Sequence, residues 1–135
     1  MSLVSSGHDV ADARLHREVD ALVRAGAQVE VMALGDPDGA PAGSRPRLVR
    51  RRGGFVGRAI RALVMPLQAR GRVLLVLDPD LVPTAWLAAR VTRRRLVVDV
   101  HEDYRALLRD RTWARGPGGS LVRALAGGLS AASAR

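Results

Sequence analysis

The sequence predicts an α/β fold, a doubly wound parallel sheet of about five strands with helices on both faces. Short apolar runs alternate along the chain with longer segments in which apolar residues recur at helical spacing, as expected when crossover helices join parallel strands. The run at residues 73–77 is wholly apolar, which is typical of a strand covered on both faces. Because crossovers are right-handed, few topologies remain, and they favour the doubly wound sheet.

The individual elements follow from periodicity and from the residues that end each segment. Asp9 and Asp12 are both available to cap the first helix, and Gly26 falls where a left-handed residue closes it. Asp78 and Pro79 form a start signal for the third helix, whereas Pro66 is expected to kink or end the second. The predicted strands cover residues 3–6, 29–33, 47–51, 73–77 and 96–100, with a polar loop at 7–12, and the predicted helices cover residues 12–25, 56–67, 79–92, 105–113 and 119–133.

Length and composition indicate one globular domain, predicted to cover residues 1–135. A chain of 135 residues can bury a core but is too short for two ordinary domains. Its apolar fraction of 47% and charged fraction of 26% are those of a globular protein. The sequence has no cysteine, which excludes disulfides and thiolate metal sites, and no apolar run of the ~18 residues that a membrane span needs.

The charge of the chain is strongly positive. It carries 22 basic residues, all of them arginine, against 13 acidic ones, for a net charge of +9. Arginine favours planar contacts with phosphate or carboxylate, which is one interpretation of this excess. The other is a coding bias, since lysine is absent while alanine and glycine are abundant.

Titratable side chains follow several predicted strands, and two explanations of them remain open. Because the carboxyl ends of parallel strands share one edge, these side chains are expected on one rim, where such sheets bind ligands. Alternatively, each acid caps the helix that follows it. Capping explains the acids but does not account for His8 and His101. The third histidine, His16, is expected to be a solvated residue in mid-helix. The residues concerned are His8, Asp9, Asp36, Asp78, His101, Glu102 and Asp103.

Several kinds of site are excluded by the absence of their motifs. The sequence contains no G-x-G-x-x-G, no G-x-x-x-x-G-K-[ST] and no G-x-S-x-G, so dinucleotide, P-loop and hydrolase sites are not indicated. The three histidines lack the spacing of a zinc site. The sequence therefore predicts neither a metal nor a cofactor.

Three segments of the chain each match a different part of one known sequence pattern. They are residues 12–31, which begin Asp-Ala-Arg-Leu-His-Arg-Glu, residues 78–83, Asp-Pro-Asp-Leu-Val-Pro, and residues 97–104, Val-Val-Asp-Val-His-Glu-Asp-Tyr. In this order they resemble the first β-α-β unit, the loop after the fourth strand and the segment after the next strand of group 1 (family 4) glycosyltransferases. The resemblance is to the N-terminal, acceptor-side domain, a Rossmann-like half of the GT-B fold.

The resemblance implies a retaining, hexosyltransferase-type enzyme that moves a sugar from a nucleotide-sugar donor to an acceptor, with no metal and no other cofactor. The family's histidine beside the donor sugar and the acceptor corresponds to His101, and Asp99 is expected within the fifth strand. The loop after the first strand would close over the donor. The residues implied to contact or orient substrate are Ser6, Gly7, His8, Asp9, Asp78, Glu102 and Asp103.

The sequence departs from the family pattern in two places. Many relatives carry histidines in the strand before Asp-Pro-Asp, where this chain has Leu75 and Leu77. The chain also ends at Arg135, about where another strand is expected, and the donor-binding domain does not appear. The expectation is therefore that this chain alone is inactive and self-associates, as a homodimer, through an unpaired sheet edge.

A basic segment suggests a further partner. Residues 40–77 contain nine arginines and no acid, and the predicted helix within them has an apolar stripe. Either the stripe packs on the sheet and the arginines are its solvated face, or the helix lies on an anionic membrane. The second interpretation gives an alternative function, a non-catalytic module that binds an anionic surface. The protein is expected in the cytoplasm, where this helix would meet the inner face of the membrane. Nucleic acid is the less favoured surface because aromatic residues are few. The arginines assigned to this surface are Arg50, Arg51, Arg52, Arg58 and Arg61.

Overall fold

The computed structural model describes residues 1–49 and 54–99, which form a parallel five-stranded sheet with helices on both faces. The predicted fold class is therefore confirmed as Rossmann-like α/β. The predicted helices at 105–113 and 119–133 lie outside the described residues. The strands are β1 (Ser2–Asp9), β2 (Glu30–Leu34), β3 (Arg45–Pro46), β4 (Val73–Val76) and β5 (Arg95–Val98), and the helices are α1 (Ala13–Arg24), α2 (Gly54–Gln68) and α3 (Val82–Thr92). Single 3-10 turns at Pro37–Gly39 and Pro79–Leu81 complete the set.

The strand order is β3-β2-β1-β4-β5, and all neighbouring strands run parallel. The chain builds outward from β1 to β3, then crosses back over the sheet and builds outward on the other side through β4 and β5. The order thus reverses between β1 and β4. Doubly wound sheets bind ligands in the crevice that opens at such a reversal, outside the carboxyl ends of the strands.

The core forms on both faces of the sheet because successive strand residues point to opposite sides. Leu3 and Val31 pack with Leu15 and Val19 of α1 on one face. Val4 and its neighbours pack against α2 and α3 on the other face. The buried residues of that second face are Val4, Met32, Ala62, Met65, Ala69, Leu74, Val76, Leu81, Val82, Ala85 and Ala88.

Strand β1 leaves its regular pairing at its carboxyl end. Ser2, Leu3 and Val4 pair with residues 30–32 of β2, but the next registered pair joins Asp9 to Leu34, so residues 5–8 oppose Ala33 alone. The predicted loop at 7–12 is therefore wrong in its start, since β1 continues to Asp9 as a bulged strand. Bulges of this kind redirect side chains at sheet edges and are frequent beside functional sites.

The helix ends follow some of the predicted signals and depart from others. Asp12, not Asp9, caps α1 by accepting a hydrogen bond from the Arg14 amide at 2.8 Å, and Gly26 takes the expected left-handed φ of 81°. Helix α2 continues two residues beyond Pro66 and ends at Gln68. The third strand, predicted at 47–51, begins two residues earlier, at Arg45–Pro46, and Val49 forms an isolated bridge to Leu34; residues 50 and 51 lie outside the described residues.

Helix α2 does not bury the apolar stripe that its sequence presents. Among the α2 residues whose side chains the structure describes, those buried are Ala62, Met65 and Pro66. The residues of the stripe stay exposed, so the interpretation that packed them on the sheet is wrong. Their exposed fractions are 66% for Val56, 55% for Ile60, 60% for Leu63, 38% for Val64 and 57% for Leu67.

Among the described residues, no helix combines the length and apolar composition required to cross a bilayer.

Candidate functional site

The bulged end of β1 and the segment after β4 form one crevice at the point where the strand order reverses. Because Val4 pairs with Val76, residues 5–9 lie beside Asp78 and Asp80 although about 70 residues of chain separate them. Helix α2 contributes Arg58 to the same place. The structure thus brings Ser6, Gly7 and His8 together with Asp78.

Asp78 is the buried centre of this crevice, with 6% of its surface exposed. One of its oxygens, Oδ2, accepts hydrogen bonds from the Ser5 hydroxyl at 2.6 Å, the Ser6 amide at 2.8 Å and the Gly7 amide at 3.3 Å. Its side chain makes no cap to the turn that follows, so the capping explanation is wrong for Asp78. Asp78 instead fixes the backbone of the β1 bulge.

Asp80 and Arg58 form an ion pair at the mouth of the crevice. The Arg58 guanidinium donates to both carboxylate oxygens, from Nε to Oδ2 at 2.8 Å and from Nη2 to Oδ1 at 3.1 Å. The Ser6 hydroxyl also donates to Asp80 Oδ2 at 2.8 Å. Burial alone would raise the pKa of Asp80, but these hydrogen bonds outweigh it and hold the pKa below its ordinary value.

Arg58 therefore occupies a place that the sequence did not predict. The sequence assigned Arg58 and Arg61 together to a surface that binds an anionic partner. In the structure Arg61 is half-buried on α2. The side chain of Arg58 lies over the β1 bulge and is 44% exposed. A Cβ added to Gly7 would lie 3.1 Å from Nη1 of Arg58. Glycine at position 7 thus lets the cation approach the backbone of the loop closely.

His8 places a titratable ring at the edge of the crevice. Its Nδ1 lies 3.0 Å from the Ser5 hydroxyl and 3.5 Å from Asp78 Oδ1, and about a third of the side chain, 32%, is exposed. Within the described residues, its Nε2 makes no hydrogen bond. With Nδ1 held by Ser5 and Asp78, Nε2 is the ring nitrogen available to hydrogen-bond with a ligand.

Asp9 and Asp36 are more peripheral. Asp9 is exposed and accepts a hydrogen bond from the Ala11 amide at 3.0 Å, so its carboxylate closes a local turn. It packs against Gly35, where an added Cβ would lie 2.7 Å from Asp9 Oδ1 and where φ is 116°. Asp36 is exposed and makes no side-chain cap to its own turn. Neither acid belongs to the network around Asp78.

A second polar cluster, which sequence reasoning missed, lies at the end of β5. Asp99 follows the strand instead of lying within it, and its Oδ2 accepts a hydrogen bond from Arg14 of α1 at 2.7 Å. Arg14 also pairs with Glu18 at 3.1 Å. Burial and a hydrogen bond shared with Asp99 raise the pKa of Glu18. The four-residue spacing of Arg14 and Glu18 on one helix face was the available signal.

Several predicted residues cannot be placed in this description. His101, Glu102 and Asp103, together with Arg50, Arg51 and Arg52, lie outside the described residues. The other predicted histidine position is corrected: His16 is part-buried, with Nε2 at 2.9 Å from the Gly39 carbonyl oxygen, and is not a solvated surface residue. In the described part of the chain, no group of three metal-binding side chains could hold a metal ion.

No protein-family model, curated protein or solved structure matches this chain. The fold therefore rests on the chain's own strand order and registers. The glycosyltransferase resemblance of its three segments stays a prediction.

Proposed function

We propose that the crevice binds the diphosphate of a nucleotide sugar, and that the chain is the N-terminal, acceptor-side domain of a retaining glycosyltransferase. The observation that supports this most directly is a partly exposed cation, Arg58, lying over Gly7 at the reversal of strand order. That position is where doubly wound sheets receive their ligands. Guanidinium groups suit phosphate because their planar donors match its oxygens. The proposal of a sugar donor and of a glycosyl-transfer reaction comes from the resemblance of the three sequence segments to glycosyltransferases.

Several residues of the crevice have a role in this proposal. Asp78 and Ser5 fix the bulge, so that Gly7 presents no side chain to the donor. When the bond between the anomeric carbon and the diphosphate breaks, negative charge grows on the departing phosphate, and Arg58 stabilises it. His8 contacts the donor through Nε2, and His101 contacts the sugar or the acceptor, as the resemblance implies. A donor-binding domain must be supplied by the rest of the gene product or by another chain.

The binding step can be tested on the chain itself. UDP-glucose and GDP-mannose are titrated while the backbone amide resonances are followed by NMR, and shifts are expected at Ser6, Gly7 and His8. Arg58→Gln should weaken binding by about tenfold or more, because a charge-assisted contact to phosphate is lost. Arg17→Gln, on the exposed face of α1, is the control with the same charge change. Shifts confined to other parts of the sheet, or equal weakening by both substitutions, would contradict the proposal.

The reaction requires the product of the whole coding gene. Transfer from the donor that binds best should be retained by Arg17→Gln and reduced by on the order of 100-fold in His101→Ala, the size expected for loss of a group at the reacting centre. Unchanged transfer in His101→Ala removes that residue from the mechanism. A gene product with no second α/β domain to bind the donor, and no partner chain supplying one, contradicts the enzyme proposal.

The exposed apolar residues of α2 favour a second candidate, a non-catalytic module that binds an anionic membrane. Ile60 and Leu63 are more than half exposed, at 55% and 60%, and Arg50, Arg51 and Arg52 directly precede the helix in the sequence. A basic helix with an apolar face binds at the headgroup boundary of anionic bilayers.

Co-sedimentation with phosphatidylglycerol vesicles tests the second candidate. Ile60→Glu combined with Leu63→Glu should abolish sedimentation, while Ala13→Glu combined with Ala21→Glu, two exposed positions on α1, should not. If the chain fails to sediment at low salt, or if both double variants lose binding equally, the apolar face of α2 is not a membrane surface.

A further inference from the structure

Five arginines line a cleft at the amino edge of the sheet, the edge opposite the crevice. Arg70 and Arg72 lie in the turn that leads into β4, and residues 93–95 join α3 to β5. The cleft has a volume of ≈ 540 Å³ and is also lined by Gly71, Val73 and Thr92. This size lies within the range of roughly 300–1,000 Å³ found for small-molecule sites.

The two turns that carry these arginines are fixed to each other and to the sheet. The Arg95 amide donates to the Arg72 carbonyl at 3.0 Å, and Val73 pairs with Arg95 at the start of the two strands. The Gly71 amide donates to the Ser2 hydroxyl at 2.7 Å. A Cβ added to Gly71 would lie 2.4 Å from the Ser2 nitrogen, so only glycine fits. The arginines are therefore carried on a preorganised backbone, which lowers the entropic cost of binding.

The charge of the cleft is not balanced by nearby acids. Within residues 1–49 and 54–99, no carboxylate forms an ion pair with any of the five arginines of the cleft. Elsewhere Arg24 and Arg47 each pair with one carboxylate, and Arg14 pairs with both Glu18 and Asp99. Glu30 accepts the Arg70 amide, but its charge is paired with Arg47 at 3.1 Å. A cleft of one sign of charge focuses the electrostatic potential and attracts ions of the other sign.

Support of the helix ends does not explain the whole group. Arg94 donates to the Ala69 carbonyl just after α2, which accounts for one arginine by the usual preference for cations at helix C-termini. Arg70, Arg72 and Arg95 are exposed and make no such side-chain bond within the described residues. Arg93 has a φ of 54°, and it is the one non-glycine residue with positive φ in the described ranges. Glycine is the usual residue at this position, so arginine is present despite its conformational cost.

We propose that this arginine cleft binds a soluble anion that carries two or more phosphate groups. Arginine binds phosphate through paired, charge-assisted hydrogen bonds, and several guanidinium groups on two adjacent turns suit linked phosphates better than a single one. The cleft and the crevice lie at opposite edges of the sheet, so this site does not depend on the glycosyltransferase proposal.

Isothermal titration of the chain with inorganic pyrophosphate, at low ionic strength, tests the site. Saturable binding is expected, and Arg72→Gln combined with Arg95→Gln should weaken it by about tenfold or more. The control is Arg17→Gln combined with Arg45→Gln, two exposed arginines outside the cleft that give the same change in net charge. The control should alter affinity by less than about twofold, since exposed distant charges are screened. Absence of saturable binding, or equal weakening by both double variants, overturns the proposal.

Two further measurements locate the ligand and its source. In amide NMR, pyrophosphate should shift Gly71, Arg72 and Arg95, and binding should persist in Arg58→Gln; shifts at Ser6 and Gly7 alone would place the anion in the crevice and overturn the cleft assignment. Phosphatidylglycerol vesicles supply phosphate as a lipid headgroup. Vesicle binding that requires Arg72 and Arg95, without any binding of pyrophosphate, would show a headgroup surface and contradict a soluble ligand.

Discussion

At the carboxyl edge of the sheet, three donors from the β1 bulge converge on the Asp78 carboxylate. They are the Ser5 hydroxyl and the amides of Ser6 and Gly7, at 2.6, 2.8 and 3.3 Å from Oδ2. The bulge has little β-pairing of its own, since residues 5–8 oppose Ala33 alone. Its conformation therefore depends on one buried acid from the segment after β4.

Asp78→Ala should lower the free energy of unfolding by about 2–4 kcal/mol, because it leaves buried donors without an acceptor. Urea denaturation followed by circular dichroism measures the change. Asp38→Ala, at an exposed acid, is the control and should change stability by less than about 0.5 kcal/mol. A loss at Asp78 no larger than at Asp38 would mean that the carboxylate does not hold the loop.

Arg93 gives a second prediction at the residue scale. Its left-handed conformation, with φ 54°, suits glycine, so Arg93→Gly should raise the free energy of unfolding by up to about 1 kcal/mol. Arg90→Gly, three residues earlier within α3, should lower it by about 1 kcal/mol because glycine is unfavourable inside a helix. Thermal denaturation of the two variants should therefore move in opposite directions, and movement in the same direction would contradict the assigned conformation.

At the scale of the elements, helix α2 presents more apolar residues than one face can bury. Of its described side chains, Ala62, Met65 and Pro66 are buried, whereas the apolar residues of the outer stripe are exposed. Met65→Ala should cost about 2–4 kcal/mol of stability, as is typical when a buried side chain of this size is truncated. Leu63→Ala, at a residue 60% exposed, should cost less than about 1 kcal/mol. Equal costs in urea denaturation would show that the outer stripe is covered.

Glu18 of helix α1 makes a pH-dependent contribution to the free energy of unfolding. Burial and the hydrogen bond with Asp99 raise its folded-state pKa above the ordinary value of 4.5, so the folded protein holds this proton more tightly than the unfolded chain. The contribution is present below pH 4.5 and is lost as the pH rises through the folded pKa. Glu18→Gln removes this loss, and its stability relative to the wild type should increase with rising pH over that window.

The contribution of Glu30 to stability changes with pH in the opposite direction to that of Glu18. Burial alone would raise its pKa, but hydrogen bonds from Ser2, the Arg70 amide and Arg47 outweigh it and lower the pKa. Its contribution is present above the ordinary value and is lost as the pH falls through the folded pKa. Glu30→Gln should therefore lose stability relative to the wild type as the pH rises, in thermal unfolding between about pH 3 and 7. The same trend in both variants would contradict one of the two environments.

At the scale of the whole molecule, stability is expected to be greatest around β1. This strand is hydrogen-bonded to β2 on one side and β4 on the other, while β3 contributes two residues at an edge of the described sheet. Native-state hydrogen exchange should therefore be slowest for the amides of Leu3 and Val4 and faster for Arg45, because central strands open only with the global unfolding of the sheet. Slower exchange at Arg45 than at Leu3 would contradict the strand order.

The sequence by itself determined the fold class, both ends of α1 to within about one residue, the carboxyl end of α3 and the left-handed Gly26. These features are local, because the periodicity of strands and helices and the signals at helix ends depend on residues a few positions apart in the sequence. The resemblance to glycosyltransferases came from the same local segments.

Only the tertiary structure decided which side chains meet. Ser5 and Asp78 are 73 residues apart, and Arg58 and Asp80 are 22 apart, so sheet order and helix rotation, not local pattern, bring them together. Spacing could not show which face of α2 is buried, since its apolar residues cover more than one face. The arginine cleft was invisible for the same reason. Its two turns are separated by all of β4 and α3 in the sequence and become neighbours because β4 and β5 pair in parallel.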